Sequence, residues 1–208
     1  PGRARAGWQD LRTVGECLMA KAEHDLALAP NQSATKLANL LDTFDPDRSR
    51  DLCFGTVDTW LVWQLTGGRV HVTDRTNAGV TGLLHADGSG WNQRVLDLLR
   101  IPASVLPELV ESSGIIGEAS SLAGSPVIAG IAGDQQAALF GQACFDAGST
   151  KNTYGTGCFM LHNVGPSPVG SDNRLLSTVA WQIGGVTEYA LEGSVFIGGA
   201  VIQWLRDS

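Results

Sequence analysis

The sequence predicts an α/β fold, and three observations carry that prediction. Helix-period segments alternate with short β-rich runs through the first two-thirds of the chain. One such run, SPVIAGIAGD (125–134), is apolar and small-residue, the composition of a strand buried on both faces. Beyond residue 143 the pattern turns antiparallel: STKNTYGTGCFMLHNV (149–164) and LLSTVAWQIGGVTEYALEG (175–193) read as strands, with Gly184-Gly185 placed for a tight hairpin turn.

Taken in order, residues 9–29 carry Leu11, Val14, Leu18, Met19 and Ala22 at helical spacing and predict a surface helix. SATKLANLLDT (33–43) begins on a candidate N-cap, Ser33, puts Leu37, Leu40 and Leu41 on one side, and stops at the Asp-Pro-Asp turn of 45–47. CFGTVDTWLVWQLTGG (53–68) predicts a helix capped by Thr56 and ended by Gly67-Gly68, which supply the left-handed conformation. RVHVTDRTNA (69–78) predicts a short strand running into a loop. WNQRVLDLLR (91–100) is an amphipathic helix stopped before Ile101-Pro102. A helix from Gln135 to Ala143 would be the hinge to a second α/β domain, and a terminal helix is expected near Ser194 with Phe196, Ala200, Val201 and Trp204. The domain boundary is therefore expected between 1–143 and 144–208.

Composition narrows the function. A chain of 208 residues with 43% hydrophobic content can bury a core. A net charge of −7 with no Lys/Arg cluster argues against a nucleic-acid partner, whose phosphates demand cationic neutralisation. No apolar run is long enough for membrane insertion, and Cys17, Cys53, Cys144 and Cys158 lack metal or redox spacing, so a cytoplasmic protein with free thiols and no metal-ligand set of its own is expected. The four histidines are scattered, and Trp60, Trp63 and Trp204 are expected in core or interface. The first residues, PGRARAG, and the last, WLRDS, suggest a fragment.

Two segments carry chemistry. Asp134 falls at the C-terminal end of the predicted apolar strand, where α/β sheets place ligands, with Gly133 before it and a helix N-terminus after it. The alternative is that Asp134 only caps that helix. The Gly155-Thr156-Gly157 tip, with Thr153, offers amides and a hydroxyl to a terminal phosphate, or is simply a turn.

The runs FGTVDTWLVWQLTGGRVHVTDRTNA (54–78), PVIAGIAGDQQAALFGQACFDAGSTKNTYGTGCFMLHNVG (126–165) and YALEGSVFIGGAVIQWLRD (189–207) together resemble glycerol kinases of the FGGY carbohydrate kinase family. The resemblance implies an actin-like ATPase (ribonuclease H-like) two-domain fold, present here in part. It further implies phosphorylation of glycerol to sn-glycerol 3-phosphate with ATP and Mg²⁺, and a homo-oligomer at full length. On this resemblance Asp134 matches the general base. Trp8, Gln135 and Phe159 match polyol contacts, with Asn31 at a further polyol position; Gly155, Thr156, Gly157, Gly199 and Gln203 match nucleotide contacts. The family's first phosphate loop, with a Mg²⁺-associated aspartate, would precede Pro1 and its adenine site would follow Ser208, so this stretch alone is expected not to turn over.

The sequence also departs from the family pattern. Asn31 stands where a tyrosine is expected and Asn39 where a tryptophan is, removing aromatic faces against which carbon atoms pack. TNAGVTG (76–82) lacks the usual Ser-Arg-Thr. The LAGSP loop (122–126) is short and without arginine, so inhibition by an anionic sugar bisphosphate is not expected. Two alternatives to a glycerol kinase follow: a kinase of the same family for another polyol or ketose, and a non-catalytic binding protein on the same scaffold.

Overall fold

The computed structural model describes residues 11–26, 28–173 and 175–207. In the first half, α1 (Leu11–His24) precedes α2 (Ala34–Phe44), α3 (Val57–Leu65), β1 (Val72–Asp74), α4 (Arg75–Gly79) and α5 (Gln93–Leu98). A 3₁₀ turn at Ala103–Val105 then leads to β2 (Glu108–Val110), β3 (Ser113–Glu118), β4 (Val127–Gly130) and α6 (Asp134–Gly141). The second half holds β5 (Thr150–Tyr154), β6 (Cys158–Gly165), β7 (Leu176–Ile183), β8 (Val186–Val195) and α7 (Gly199–Asp207). Strands β1 and β2 pair in parallel and β3 and β4 antiparallel, while β5 to β8 form a four-stranded antiparallel sheet in the order β5-β6-β8-β7. No helix among the described residues is long and apolar enough to cross a membrane, and all four cysteines are free thiols.

Three apolar clusters hold these elements. Ala34, Leu37, Ala38 and Leu41 of α2 pack with Leu83, with Val95 and Leu96 of α5, and with Ile101, Val105 and Leu106; the i, i+3, i+4, i+7 spacing on α2 is what makes one continuous face. Val62, Val72 and Ile131 join α3, β1 and the end of β4. Leu139 of α6 and Cys144 pack on Leu161, Ala180, Trp181 and Ala190, so α6 lies against the antiparallel sheet. Phe140 adds edge-to-face contacts with Phe145 and Trp181.

The two halves meet around Ser112. Its amide donates to the Gln182 carbonyl (2.9 Å), its hydroxyl donates to Asp74 Oδ2 (2.7 Å), and its carbonyl accepts from Ile131 (3.0 Å). Next to it, the Glu111 carboxylate receives the amides of Gly184 and Gly185 at 2.7 and 2.8 Å. Those two glycines have φ of 60° and 79°, the paired left-handed geometry of the expected hairpin turn.

Several local expectations are corrected. Ser33 has helical φ and ψ, so its side chain caps nothing; the amides of Ser33 and Ala34 donate instead to Thr81 O at 3.0 and 2.9 Å. Thr56 likewise makes no cap bond, because its hydroxyl is engaged by Asp58, which also accepts from Thr73 of β1 (2.7 Å). Residues 75–79 are a helical turn and not a loop, since the Asp74 carboxylate caps Asn77. β4 is not buried on both faces: Val127 is 53% exposed, and the strand pairs with β3 alone. Leu18 and Met19 are exposed while Cys17 and Ala20 are buried, so α1 turns small side chains inward. The terminal helix starts at Gly199, five residues later than expected, because Ser194 and Val195 stay in the β6–β8 ladder opposite Phe159 and Cys158. Trp60 and Trp204 are exposed, contrary to a core placement.

Candidate active site

The loop between β4 and α6 is held from below by a buried carboxylate. Asp74 is fully enclosed and accepts from Thr76 Oγ1 (2.8 and 2.9 Å), from the amide and Nδ2 of Asn77 (3.0 and 2.9 Å) and from Ser112 Oγ. A buried anion persists only when hydrogen-bonded in this way. The same Thr76 hydroxyl accepts the amide of Gly133 at 2.7 Å. At Gly133 a Cβ would come within 2.6 Å of Gln136 Oε1, the far end of a side chain that would have to shift.

Held there, Asp134 is the first residue of α6 and is exposed. Gly133 is the cap residue and no side chain caps the helix, so Asp134 does not do the capping that the sequence left open. A carboxylate in a first helical turn is favoured by the helix dipole. Its side-chain partner is Gln135, whose Nε2 donates to Oδ2 at 3.2 Å.

Beneath Gln135 lies a residue that sequence reasoning missed. Lys151 of β5 is 2% exposed, and its ammonium donates to Gln135 Oε1, to Thr153 Oγ1 (2.9 Å) and to the Phe159 carbonyl (3.4 Å). Burial pushes its pKa down, against the charges of Glu192 and Asp134, which raise it. Glu192 of β8 stands in the same cross-strand row, Lys151 opposite Leu161 and Leu161 opposite Glu192. Its carboxyl is pushed up by burial, opposed by the Ser194 hydroxyl at 3.1 Å and by the Lys151 charge.

The Gly155–Gly157 tip joins β5 to β6 and packs on the start of α7. The Gly155 amide donates to the Gly157 carbonyl (2.8 Å), so it is not free to bind a phosphate, which corrects the expectation of two open glycine amides. The Gly155 carbonyl accepts from Gly199 (2.8 Å), and the Thr156 carbonyl accepts from Gly198 (2.8 Å) and Ala200 (3.3 Å). A Cβ on Gly199 would stand 2.5 Å from the Gly155 oxygen, and one on Gly157 would stand 2.8 Å from the Val195 oxygen. The glycines therefore serve close backbone packing, and what the tip turns outward is Thr156 beside Tyr154, which is 79% exposed.

The structure thus brings the predicted residues together in two groups. Asp134, Gln135 and the Phe159 backbone meet through Lys151, while Gly155, Thr156 and Gly157 meet Gly199, with exposed Gln203 one turn further along α7. The Phe159 ring reaches under the tip, its Cε2 lying 3.3 Å from where a Gly157 Cβ would be. Asn31 is exposed, its carbonyl accepts from Lys36 Nζ (2.9 Å), and among the described residues no hydrogen bond ties it to either group. Trp8 lies outside the described residues. At this junction the backbone amides of Gly155, Gly198, Gly199 and Ala200 are all paired, which leaves the exposed Thr156 as the group the tip offers outward. Among the described residues no group of three or more His, Cys, Asp or Glu could hold a metal ion.

Residues 3–141 match the N-terminal domain of the FGGY family of carbohydrate kinases. Over 96% of its length the chain is 52% identical to a glycerol kinase of Alkalilimnicola ehrlichii and to one of Deinococcus radiodurans, and it spans 43% of each. Among solved structures, the Plasmodium falciparum glycerol kinase with ADP is similar over 95% of this chain and 43% of its own, with a TM-score of 0.80 and 29% identity. A ligand-bound xylulose kinase from Lactobacillus acidophilus covers 97% of this chain and 43% of its own at a TM-score of 0.76 and 21% identity, a likeness of fold. The architecture is accordingly part of the actin-like ATPase fold of these kinases.

Proposed function

The chain belongs to the FGGY family of carbohydrate kinases, and on that premise we propose that it forms part of a kinase that phosphorylates glycerol to sn-glycerol 3-phosphate. The chain spans 43–45% of the length of the curated relatives it matches, so the activity is proposed for the complete polypeptide, and this stretch alone would not turn over. Similarity to relatives named glycerol kinase at 52% identity supports the substrate. We place the boundary between the substrate-side and nucleotide-side domains at 143/144.

One observation carries the reading: an exposed carboxylate, Asp134, stands at the start of α6, bound to Gln135, above a sheet whose hairpin tip turns Thr156 outward. Asp134 takes the proton of the attacking hydroxyl, Gln135 hydrogen-bonds the polyol, and Phe159 walls the carbon chain. Bound ATP supplies the phosphoryl group. Thr156 meets the terminal phosphates at the tip, Gly199 lets α7 approach it, and Gln203 contacts the nucleotide. Phosphoryl transfer asks little covalent chemistry of the protein, so aligning the alcohol and accepting its proton are the main contributions of these residues. No step is assigned to Mg²⁺ here; among the described residues no group of three or more His, Cys, Asp or Glu could hold a metal ion, and Mg²⁺ in such sites is held largely by the phosphates and waters.

In the full-length protein Asp134→Asn should lower kcat about 10²- to 10⁴-fold, the usual worth of a general base, with ATP affinity nearly unchanged. A coupled assay of ADP release with nucleotide titration checks this, and lost nucleotide binding with preserved turnover contradicts the role. Asn31 favours a second reading, a kinase for another polyol or ketose, because it replaces an expected aromatic wall with a polar side chain. Comparing kcat/KM for glycerol, erythritol, xylulose and ribulose separates the two.

A further inference from the structure

Lys151 sits in the wrong place for a lysine. On β5, Thr150, Asn152 and Tyr154 point outward, and Lys151 points in. Burying an ammonium costs more than burying a methylene chain of the same length, and a core that needed only volume would be better served by Met. What the charge supplies is direction. A protonated lysine has three N–H donors and no acceptor, and here the three find Gln135 Oε1, Thr153 Oγ1 and the Phe159 carbonyl.

A carboxamide has nearly the same shape in its two flipped orientations, and hydrogen bonding decides between them. Facing a group that only donates, Gln135 must turn its oxygen to Lys151. That leaves Nε2 pointing at Asp134 Oδ2, where it is found at 3.2 Å. The ammonium is balanced by Glu192 and Asp134, whose charges both favour it. Glu192 is fixed by Ser194 on the same strand.

We propose that Lys151 is a positioning residue of the polyol site: it locks the orientation of Gln135, and Gln135 in turn aims the Asp134 carboxylate. This inference rests on the kinase reading above. It adds a buried cation, contributed by the antiparallel sheet, that acts on two side chains of α6 across the junction between them.

The test is a double-variant cycle in the full-length protein, with Lys151→Met, Gln135→Leu and the combined variant, plus Lys151→Arg. Lys151→Met should lower kcat/KM for the polyol at least about tenfold while leaving the KM for ATP within about twofold. Lys151→Arg should recover part of the loss. The combined variant should be no worse than Gln135→Leu by more than about twofold, because one residue acts through the other. Multiplying losses, or an ATP KM that rises in step, would overturn the proposal. Thermal unfolding of the wild type, Lys151→Met, Gln135→Leu and the combined variant provides a readout independent of turnover: shifts that fail to add sustain the Lys151–Gln135 coupling, and additive shifts overturn it. Should the wild-type protein phosphorylate none of the polyols, the kinase reading fails, and the unfolding cycle alone decides the coupling. If Lys151→Met does not fold, Lys151→Gln takes its place in the cycle.

Discussion

Thr76 uses one hydroxyl twice, donating to the buried Asp74 carboxylate and accepting the Gly133 amide. Thr76→Val keeps the shape and removes both bonds, leaving a buried anion short of a donor and a backbone N–H without its acceptor. Each such loss costs about 1–3 kcal/mol. The expected outcome is a destabilisation of about 2 kcal/mol or more, read as a lowered midpoint in thermal unfolding of the full-length protein, with Thr76→Ser close to wild type. A Thr76→Val protein as stable as the parent would show that the Asp74 network does not hold the loop. The sequence made Asp134 and Gly133 visible, because an apolar run into Gly-Asp is a local signal. It gave no sign of Asp74 and Thr76, since their partners Ser112 and Gly133 lie 38 and 57 positions away. Lys151 was hidden for the same reason, although β5 carries a trace of it: an alternating strand with Tyr154 out and Lys151 in inverts the ordinary pattern, and such inversions belong to sites.

At the scale of elements, the β5–β6 hairpin and α7 behave as one piece. Gly199 and Gly155 share a 2.8 Å backbone hydrogen bond, and Gly198 and Ala200 donate to Thr156. The atom that a Cβ on Gly199 would strike is a backbone oxygen of the tip, which no rotamer change can move aside. Gly199→Ala should therefore push α7 off the tip and raise the KM for ATP at least about tenfold, with the polyol KM little changed. Gly141→Ala at the end of α6 meets nothing within 4 Å and serves as the neutral control. Equal ATP KM values for the two variants would sink the packing argument. The hairpins themselves were legible, because alternation and Gly-Gly are local properties. The start of α7 was not: whether Ser194 and Val195 coil or extend is settled by the β6 strand beside them, a tertiary partner that overrides propensity.

Across the whole molecule, apolar surface is left open on two sides. No residue of α7 is buried, and Val195, Phe196, Ile197, Val201, Ile202 and Leu205 are all exposed. Elsewhere, β3 exposes Ile115 (87%) and its partner β4 exposes Val127, which stands opposite Glu118. Soluble monomers seldom expose contiguous apolar patches beyond a few hundred Å². The curated relatives are more than twice as long as the part this chain matches, enough additional chain to cover both faces. The 208-residue chain on its own should therefore bind a hydrophobic dye and self-associate as its concentration rises, while the full-length protein does neither. Dye fluorescence and light scattering on both forms check this. A monodisperse, dye-silent 208-residue chain would mean that its open faces are self-sufficient and that the remainder of the full-length protein packs elsewhere.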